Sequence, residues 1–425
     1  MTDILVRTLR RFGYTVKFAM NITDVGHLVS DADTGEDKME KGAHREGKTA
    51  WDVAKFYTEA FLSDSKKLNL TDPDVRPKPT EHIAEQIDMV KVLLEKGFAY
   101  QIDDGIYYDT SKFPTYGALT GQNLNELKAG ARVEQNPQKR NPTDFALWKF
   151  SPKDKNRDME WESPWGMGFP GWHIECSAMS KKHLGEQIDI HTGGADLIPV
   201  HHTNDIAQSE AASGKSPFVR FWVHGQFLLV DGAKMAKSKG NFYRLSDIEA
   251  KNFNPLALRY FYLTAHYQTF LNFTWDGLTA ASNSLKELTA QMRNFRTSGR
   301  NSLSDEKLEK VDTYRKQFDA AIADNLNIPK ALAVVWDVVK RNIPAPDKYD
   351  LLIDFDEVLG LKLNESNEIP IQEIPLEIQQ LSKQRDEFRS QKKFAEADDI
   401  RKKIEEKHYF VKDTPEGTKV IAVTS

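Results

Sequence analysis

A thiol, two neighbouring imidazoles and a carboxylate lie close together near the middle of the chain. Cys176 is followed, after a predicted helix, by His201, His202 and Asp205. Thiolate, imidazole and carboxylate are the groups from which zinc sites are built. His201 and Asp205 are four residues apart at the start of a predicted helix, so both face the same side. With Cys176 they predict a metal site that keeps one coordination position open.

Metal-free interpretations of the same residues stay open. A lone cysteine is commonly a small buried hydrophobe, and histidines near a helix start often cap the helix or lie on the surface. Gly193 and Gly194 follow His191 at the end of a predicted strand. Such a pair lets backbone approach a ligand closely, or simply forms a turn.

A lysine-rich segment, residues 231–241, is the second candidate for chemistry. Lys234, Lys237 and Lys239 lie on a glycine-bounded loop together with Ser238. Lysines bind phosphate groups as point charges, so the loop is a candidate for neutralising a polyphosphate. The spacing is not that of a P-loop, and a merely solvated basic loop is the alternative.

The elements that must position these residues follow from the apolar spacing. Residues 1–12 and much of the segment 45–100 have helical spacing, whereas residues 15–20 alternate as a strand. Residues 100–167 are rich in Pro, Gly, Asp and aromatic side chains, which predicts an irregular, partly β insertion. Strands are expected at 188–190 and 221–230, a helix at 204–212, and a tight turn at Asp231-Gly232.

The last third of the chain changes to helical heptad-like spacing. Apolar residues recur at intervals of three and four, as in a helical bundle; they are Leu278, Ala281, Leu285, Leu288, Met292, Phe295, Leu308, Val311, Phe318, Ile322, Leu332, Val335 and Val339. A polar stretch at 364–368 predicts a linker into a final module of two short charged helices and an extended end.

Composition bounds the class of protein. The chain has 425 residues, 40% hydrophobic and 28% charged, which at roughly 150 residues per domain predicts two to four folded units. The formal charge of -5 argues against wholesale coating of a polyanion but allows a local basic groove. A single cysteine excludes an internal disulfide framework, and no apolar run is long enough to span a membrane. We therefore expect a cytoplasmic protein.

Taken together, these segments resemble cysteinyl-tRNA synthetases, which are class I aminoacyl-tRNA synthetases. The resemblance extends from Met1 to the end of the chain, and Trp172-His173-Ile174-Glu175-Cys176 combined with His201, His202 and an acid is its most specific part. The other matching segments are Met20–Asp24, Gly130–Val133, Lys139–Lys149, His191–Gln208, Lys234–Ser238, Phe394–Asp398 and Asp413–Thr418.

The resemblance implies an α/β fold in three parts. A Rossmann-like parallel-sheet catalytic domain is expected at 1–275, with an insertion at about 72–166 and a lysine-loop and stem-contact region at about 221–275. An all-α, tRNA-binding helical bundle is expected at 276–365, and a small C-terminal α+β anticodon-binding module at 366–425.

The resemblance also implies an activity and a role for each candidate residue. The family activates L-cysteine with ATP, used with Mg²⁺, to cysteinyl-adenylate plus pyrophosphate, and transfers the cysteine to the 3' adenosine of tRNA(Cys). One Zn²⁺ per chain would be held by Cys176, His201 and Asp205 and would bind the substrate thiolate. Thr23, Trp172 and His191 would line the cysteine pocket; Gly193, Gly194, Asp196 and Lys237 would bind ATP; Lys234 and Lys237 would act in catalysis. A monomer without membrane contact is expected.

Three departures from the family pattern qualify these expectations. Ala236 replaces the serine of the usual Lys-Met-Ser-Lys-Ser loop, and Asp205 replaces the usual zinc-binding glutamate. A first strand with a further zinc-ligand cysteine, and the His-Ile-Gly-His turn after it, do not occur in the sequence. The expectation is a chain that begins late, through a misplaced start codon, a fragment or a truncated paralogue. Two alternatives stay open: a catalytically inactive tRNA-binding relative, and a ligase that joins cysteine to a small amine.

Overall fold

The computed structural model describes most of the chain in two compact units. The described residues are 1–26, 39–40, 42–43, 47–121, 136–152, 157–236, 240–296, 305–365, 375–391, 393–407, 409–414 and 417–422. One unit comprises Met1–Leu245 with Asn254–Lys362, and the other comprises Ser246–Phe253 with Leu363–Ser425. Gly130–Val133, Lys237 and Ser238, which entered the resemblance, lie outside the described residues. The domain boundaries expected from the sequence stay predictions.

The chain opens on helix α1 (Thr2–Arg11), as its apolar spacing predicts. Ile4, Val6 and Thr8 of this helix are buried. The strand expected at 15–20 is wrong as a regular strand: only Ala19 forms a bridge, parallel to Val75. The segment is extended beside residues 74–77, but it finds too few backbone partners for a continuous ladder.

Two helices and an antiparallel sheet follow. Helix α2 (Ala50–Lys67) begins with a capping box between Thr49 and Asp52, and α3 (Ile83–Glu95) follows it. Strands β1 (Ala99–Ile102), β2 (Gly105–Tyr108), β3 (Phe145–Phe150) and β4 (Gly168–Pro170) form one antiparallel sheet in that order. The aromatic-rich insertion is therefore the partly β segment that its composition predicts.

The two strands around the candidate site are parallel. Helix α4 (Trp172–Leu184) leads into β5 (Ile188–Gly194), and α5 (Thr203–Ser213) leads into β6 (Val219–Gly225). Strand β5 pairs with β6 in parallel, with His191 opposite Trp222 and Gly193 opposite His224. Two parallel strands joined through a helix form the βα repetition that the sequence predicts.

The single strand expected at 221–230 is wrong, because the chain changes sheets there. After β6 ends at Gly225, β7 (Leu228–Val230) pairs with β8 (Ala233–Lys234) and with β9 (Leu271–Phe273). Asp231 and Gly232, between β7 and β8, both have positive φ, 49° and 75°. Positive φ at both central residues is the geometry of a two-residue hairpin turn, so the predicted turn is confirmed.

Helices make up the rest of the larger unit. They are α7 (Pro255–Leu263), α8 (Trp275–Arg296), α9 (Asp305–Ala323), α10 (Ile328–Lys340) and α11 (Ala345–Leu359), whereas the short helix α6 (Leu245–Ala250) that precedes them belongs, except for Leu245, to the smaller unit. All six apolar positions predicted on α8 are buried, from Leu278 to Phe295. Leu308 is the exception in α9, with 49% of its surface exposed. Phe318 and Phe355 stack in the bundle core with ring centroids 4.1 Å apart.

The smaller unit contains the two charged helices expected in the tail. Helices α12 (Leu376–Ser390) and α13 (Phe394–Glu406) pack with the antiparallel hairpin of β10 (Tyr409–Thr414) and β11 (Gly417–Ala422). Ile378, Ile400, Ile404 and Val411 form its core. None of the helices in the described ranges is both long enough and apolar enough to cross a membrane.

Candidate active site

The start of α4 is held tightly against the antiparallel sheet. Gly171 donates its backbone N–H to Leu147 of β3. A Cβ at Gly171 would lie 2.0 Å from the carbonyl oxygen of Ala146, so only glycine permits this approach. This close approach fixes the position of the first residue of α4, Trp172, relative to β3. Cys176 follows one turn later on the same helix.

Cys176, His201 and Asp205 come together as their residue types predict. One ligand atom from each residue lies within 4.8 Å of the other two. Residues 198–202 form a π-helical turn that runs directly into α5, so His201 lies one turn before Asp205. Nε2 of His201 is 3.4 Å from Oδ2 of Asp205.

The electrostatics of this cluster favour a bound cation. Asp205 is fully buried, and its Oδ2 makes no hydrogen bond within the described part of the chain. Its Oδ1 is contacted only at 3.5 Å by Ser177 and 3.3 Å by Gln208. Burial raises the pKa of Asp205 and of Cys176, and the neighbouring Asp205 and Glu175 carboxylates raise that of Cys176 further. A divalent cation would offset both desolvation costs, so the donor set fits a zinc ion.

The ring of His201 is fixed by aromatic neighbours. Its Nδ1 lies 2.9 Å from Nδ1 of His173, so one of these two nitrogens donates to the other. The rings of Trp172 and His201 have centroids 4.8 Å apart. A ligand histidine whose other nitrogen is held in this way is oriented before any metal binds.

A second histidine cluster lies at the carboxyl ends of β5 and β6. Nδ1 of His202 is 2.8 Å from Nε2 of His224. The rings of His191 and His202 both lie against Trp222, with centroids 4.8 Å and 4.7 Å away. Burial lowers the pKa of His191 to about 4 and that of His202 to about 2, so both stay neutral near pH 7.

Sequence reasoning singled out His202 without assigning it a role, and it missed two members of this second cluster, Trp222 and His224. The sequence offered only a weak signal, because Trp222-Val223-His224 lies at the start of the strand predicted at 221–230, whereas the observed strand β6 ends at Gly225 and so brings these residues to the carboxyl edge. Ligand atoms of His191, His202 and Asp205 also lie within 4.8 Å of one another. Asp205 is therefore shared by two overlapping groups of possible ligands.

The residues expected around the substrate are only partly brought together. Asn21 donates to Oγ1 of Thr23 at 3.4 Å and to Sγ of Cys176 at 3.9 Å, which places Thr23 near the thiol. The next residue, Asp24, is buried and accepts from the backbone and hydroxyl of Thr80. Its role here is to hold the loop at residue 80 in place.

The glycine pair ends β5 and leads into a 3-10 turn that contains Asp196. A Cβ at Gly193 would lie 2.5 Å from Cε1 of His202, so the histidine ring packs directly on the glycine backbone. Asp196 is exposed, and a Cβ at Gly194 would meet its Oδ1 at 2.3 Å. Gly193 is thus needed for packing, whereas the Asp196 carboxylate is free to turn.

The lysine segment is described at residues 231–236 and 240–241. Lys234 is exposed at the end of β8, and its carbonyl oxygen accepts from Nδ2 of Asn241 at 3.2 Å. Oδ1 of Asn241 accepts from the backbone N–H of Ala236 at 2.9 Å. Asn241 therefore closes the base of the loop, while Lys237 lies outside the described residues.

Comparison with known proteins places the chain in a family. The model of the class I (C) tRNA synthetase catalytic domain matches residues 1–283. A cysteine–tRNA ligase of Burkholderia lata is 47% identical over 99% of this chain and 87% of its own length. That of Treponema denticola is 44% identical over 95% of this chain and 86% of its own length.

Solved structures agree on the fold. A Mycobacterium tuberculosis methionyl-tRNA synthetase in complex with methionyl-adenylate superposes with a TM-score of 0.55 at 15% identity, covering 85% of each chain. Such a likeness supports the Rossmann-like α/β architecture expected from the sequence. With the family match over the first 283 residues and relatives similar over nearly the whole length, the chain belongs to the cysteine–tRNA ligases of the class I aminoacyl-tRNA synthetases.

Proposed function

We propose that this ligase activates L-cysteine with ATP, used with Mg²⁺, and then transfers the cysteinyl group to the 3' adenosine of tRNA(Cys). We further propose that Cys176, His201 and Asp205 hold one Zn²⁺. The observation that best supports the metal site is the buried Oδ2 of Asp205, which makes no hydrogen bond within the described residues and lies among a thiol and an imidazole. A buried carboxylate oxygen without a hydrogen bond is costly unless a cation binds it.

The metal would account for selection of cysteine. When bound, zinc supplies a soft Lewis-acidic centre that a thiolate occupies much more strongly than a serine hydroxyl does. A site that depends on one strong bond rejects the analogue that cannot form it, so no editing step is required. Asp205 has a shorter side chain than the family's glutamate, so the ion would lie nearer α5.

The remaining residues would bind and orient the substrates. Trp172 lies one helical turn before Cys176, and Asn21 contacts both Thr23 and the Cys176 thiol, which supports a role for Trp172, Thr23 and His191 in enclosing the cysteine side chain. The backbone of Gly193 and Gly194, with Asp196, would lie against the adenosine. Lys234 and Lys237 would neutralise the phosphates as the cysteine carboxylate attacks the α-phosphate and pyrophosphate leaves.

Cysteine-dependent exchange of pyrophosphate into ATP tests this proposal, with serine as the competing amino acid. Asp205→Asn and Cys176→Ser should each reduce bound zinc well below one per chain and abolish exchange. Asp189→Asn is the matched control, because Asp189 is exposed on β5 and has no part in the cluster. Full zinc content and exchange in Asp205→Asn would contradict the metal assignment.

The same assay separates the two alternatives. Exchange with cysteine but no charging of tRNA(Cys) would favour a ligase that joins cysteine to a small amine. A folded, zinc-loaded chain that binds tRNA yet shows no exchange would favour a catalytically inactive relative. Exchange followed by charging of tRNA(Cys) supports the proposal.

A further inference from the structure

The first turn of α1 lies in a polar junction outside the candidate site. The carboxylate of Asp3 accepts from Nε of Arg7 at 3.0 Å, from the backbone N–H of Thr71 at 2.7 Å and from Nη2 of Arg259 at 2.5 Å. Three segments far apart in the sequence therefore meet on one carboxylate. Both of its oxygens are used.

Arg259 connects Asp3 to helix α11 of the bundle. It comes from α7 and is only 4% exposed. Its Nε donates to the carbonyl oxygen of Leu359, at the end of α11, at 2.7 Å. Its Nη1 donates to the carbonyl oxygens of Leu68 and Asn69 at 3.0 Å and 3.2 Å. Each guanidinium nitrogen thus has a partner, and the planar fork is held rigidly.

The backbone around the guanidinium is shaped to receive it. A Cβ at Gly360 would lie 2.6 Å from Nη2 of Arg259, and Gly360 has a φ of +64°. The carbonyl oxygen of Gly360 in turn accepts from Nδ2 of Asn69 at 2.8 Å. We call the group Asp3, Arg7, Asn69, Arg259 and Gly360 the α1 junction.

A hydrogen bond leads from the α1 junction to the candidate site. Thr2, next to Asp3 in the first turn of α1, has its Oγ1 3.0 Å from Oγ1 of Thr192. Thr192 lies in β5 between His191 and Gly193. Because a helical turn is stiff, a fixed Asp3 also fixes Thr2, and Thr2 then restrains the end of β5 that supports His191.

We propose that Asp3 and Arg259 are positioning residues for the cysteine pocket, acting through α1 and the Thr2–Thr192 hydrogen bond on the strand that holds His191. The expected effect of this positioning on catalysis rests on the proposed function, because His191 is expected to line the cysteine pocket. The expected effect on structure is independent of that function: weakening the α1 junction should increase the mobility of the end of β5 in the free protein.

A double-mutant cycle tests the route. Asp3→Asn keeps the shape of the side chain but weakens its hold on Arg259, and Thr2→Val replaces the hydroxyl by a methyl group of similar size. Each should speed hydrogen exchange of the backbone amides at 190–194 by about three- to tenfold. This is the factor expected when one partly buried hydrogen bond that restrains the strand is lost. The double variant should exchange no faster than the faster single variant, since both changes interrupt one route. Arg259→Lys, which keeps the charge but loses the fork, should behave like Asp3→Asn.

Kinetics supply the second readout. The same variants should raise KM for cysteine with a smaller change in kcat, whereas Asp72→Asn, an exposed aspartate near the junction, should change neither quantity. Multiplicative effects in the double variant, or unchanged exchange at 190–194 in both Asp3→Asn and Arg259→Lys, would overturn the proposal. Hydrogen exchange is measured without substrate, so it tests the structural link between the α1 junction and β5 even if the chain proves unable to activate cysteine.

Discussion

Replacing Gly193 by alanine should force apart the histidine cluster at the end of β5. The added Cβ would lie 2.5 Å from Cε1 and 2.9 Å from Nε2 of His202, and 3.0 Å from Cδ1 of Leu197. Contacts this short do not persist, so the imidazole must move. The movement breaks the 2.8 Å hydrogen bond between His202 and His224.

The expected loss of stability follows from these contacts. Overpacking of a filled site lowers the free energy of unfolding by about 1–3 kcal/mol. Loss of the histidine–histidine hydrogen bond lowers it by about 1 kcal/mol more. Gly193→Ala should therefore lower the free energy of unfolding of the larger unit by about 2–4 kcal/mol.

Guanidinium unfolding followed by tryptophan fluorescence measures this loss, because Trp222 stacks in the cluster. Gly194→Ala is the matched control: within 4 Å its Cβ would meet only the carboxyl group of exposed Asp196, which can rotate into solvent. A second check is His202→Ala in the Gly193→Ala background, which removes the clashing ring and should cost less than the sum of the single changes. Equal stability of the two glycine variants would refute the steric argument.

Three further predictions concern stability. Burial raises the pKa of Asp205 above its unfolded value, so in metal-free protein the contribution of Asp205 to stability should be lost as pH rises from about 4 towards neutrality. The lowered pKa values of His191 and His202 act in the opposite direction over the same range, so the Asp205 contribution is read from the difference between parent and variant. Asp205→Asn, compared with the parent by unfolding in a chelator at several pH values, should remove that loss. Tyr116→Phe leaves the buried Oδ1 of Asn204 without its 2.5 Å donor and should lower the unfolding free energy by about 1–3 kcal/mol in denaturant titrations. Gly360→Ala, which combines a positive φ with a contact 2.6 Å from Arg259, should lower the unfolding temperature measurably, and an unchanged value would contradict the packing described for the α1 junction.

Local patterns in the sequence predicted those elements whose contacts are local. The heptad-like spacing of α8 predicted which side chains are buried, since residues three and four apart share a helix face. Asp231-Gly232 predicted a turn because few other residues adopt positive φ in succession. The strand at 15–20 was predicted wrongly because alternation indicates a strand but not whether a neighbour is present to pair with it.

The sequence by itself determined the chemical types at the candidate site and the i, i+4 pairing of His201 with Asp205. Tertiary structure confirmed that Cys176 joins them, and it alone decided that His202 bonds to His224 and that Gly193 lies beneath an imidazole ring. It also brought Arg259 to Asp3, 256 residues away. The physical reason is that spacing along one helix or turn is set by backbone geometry, whereas contacts between elements depend on how whole faces pack.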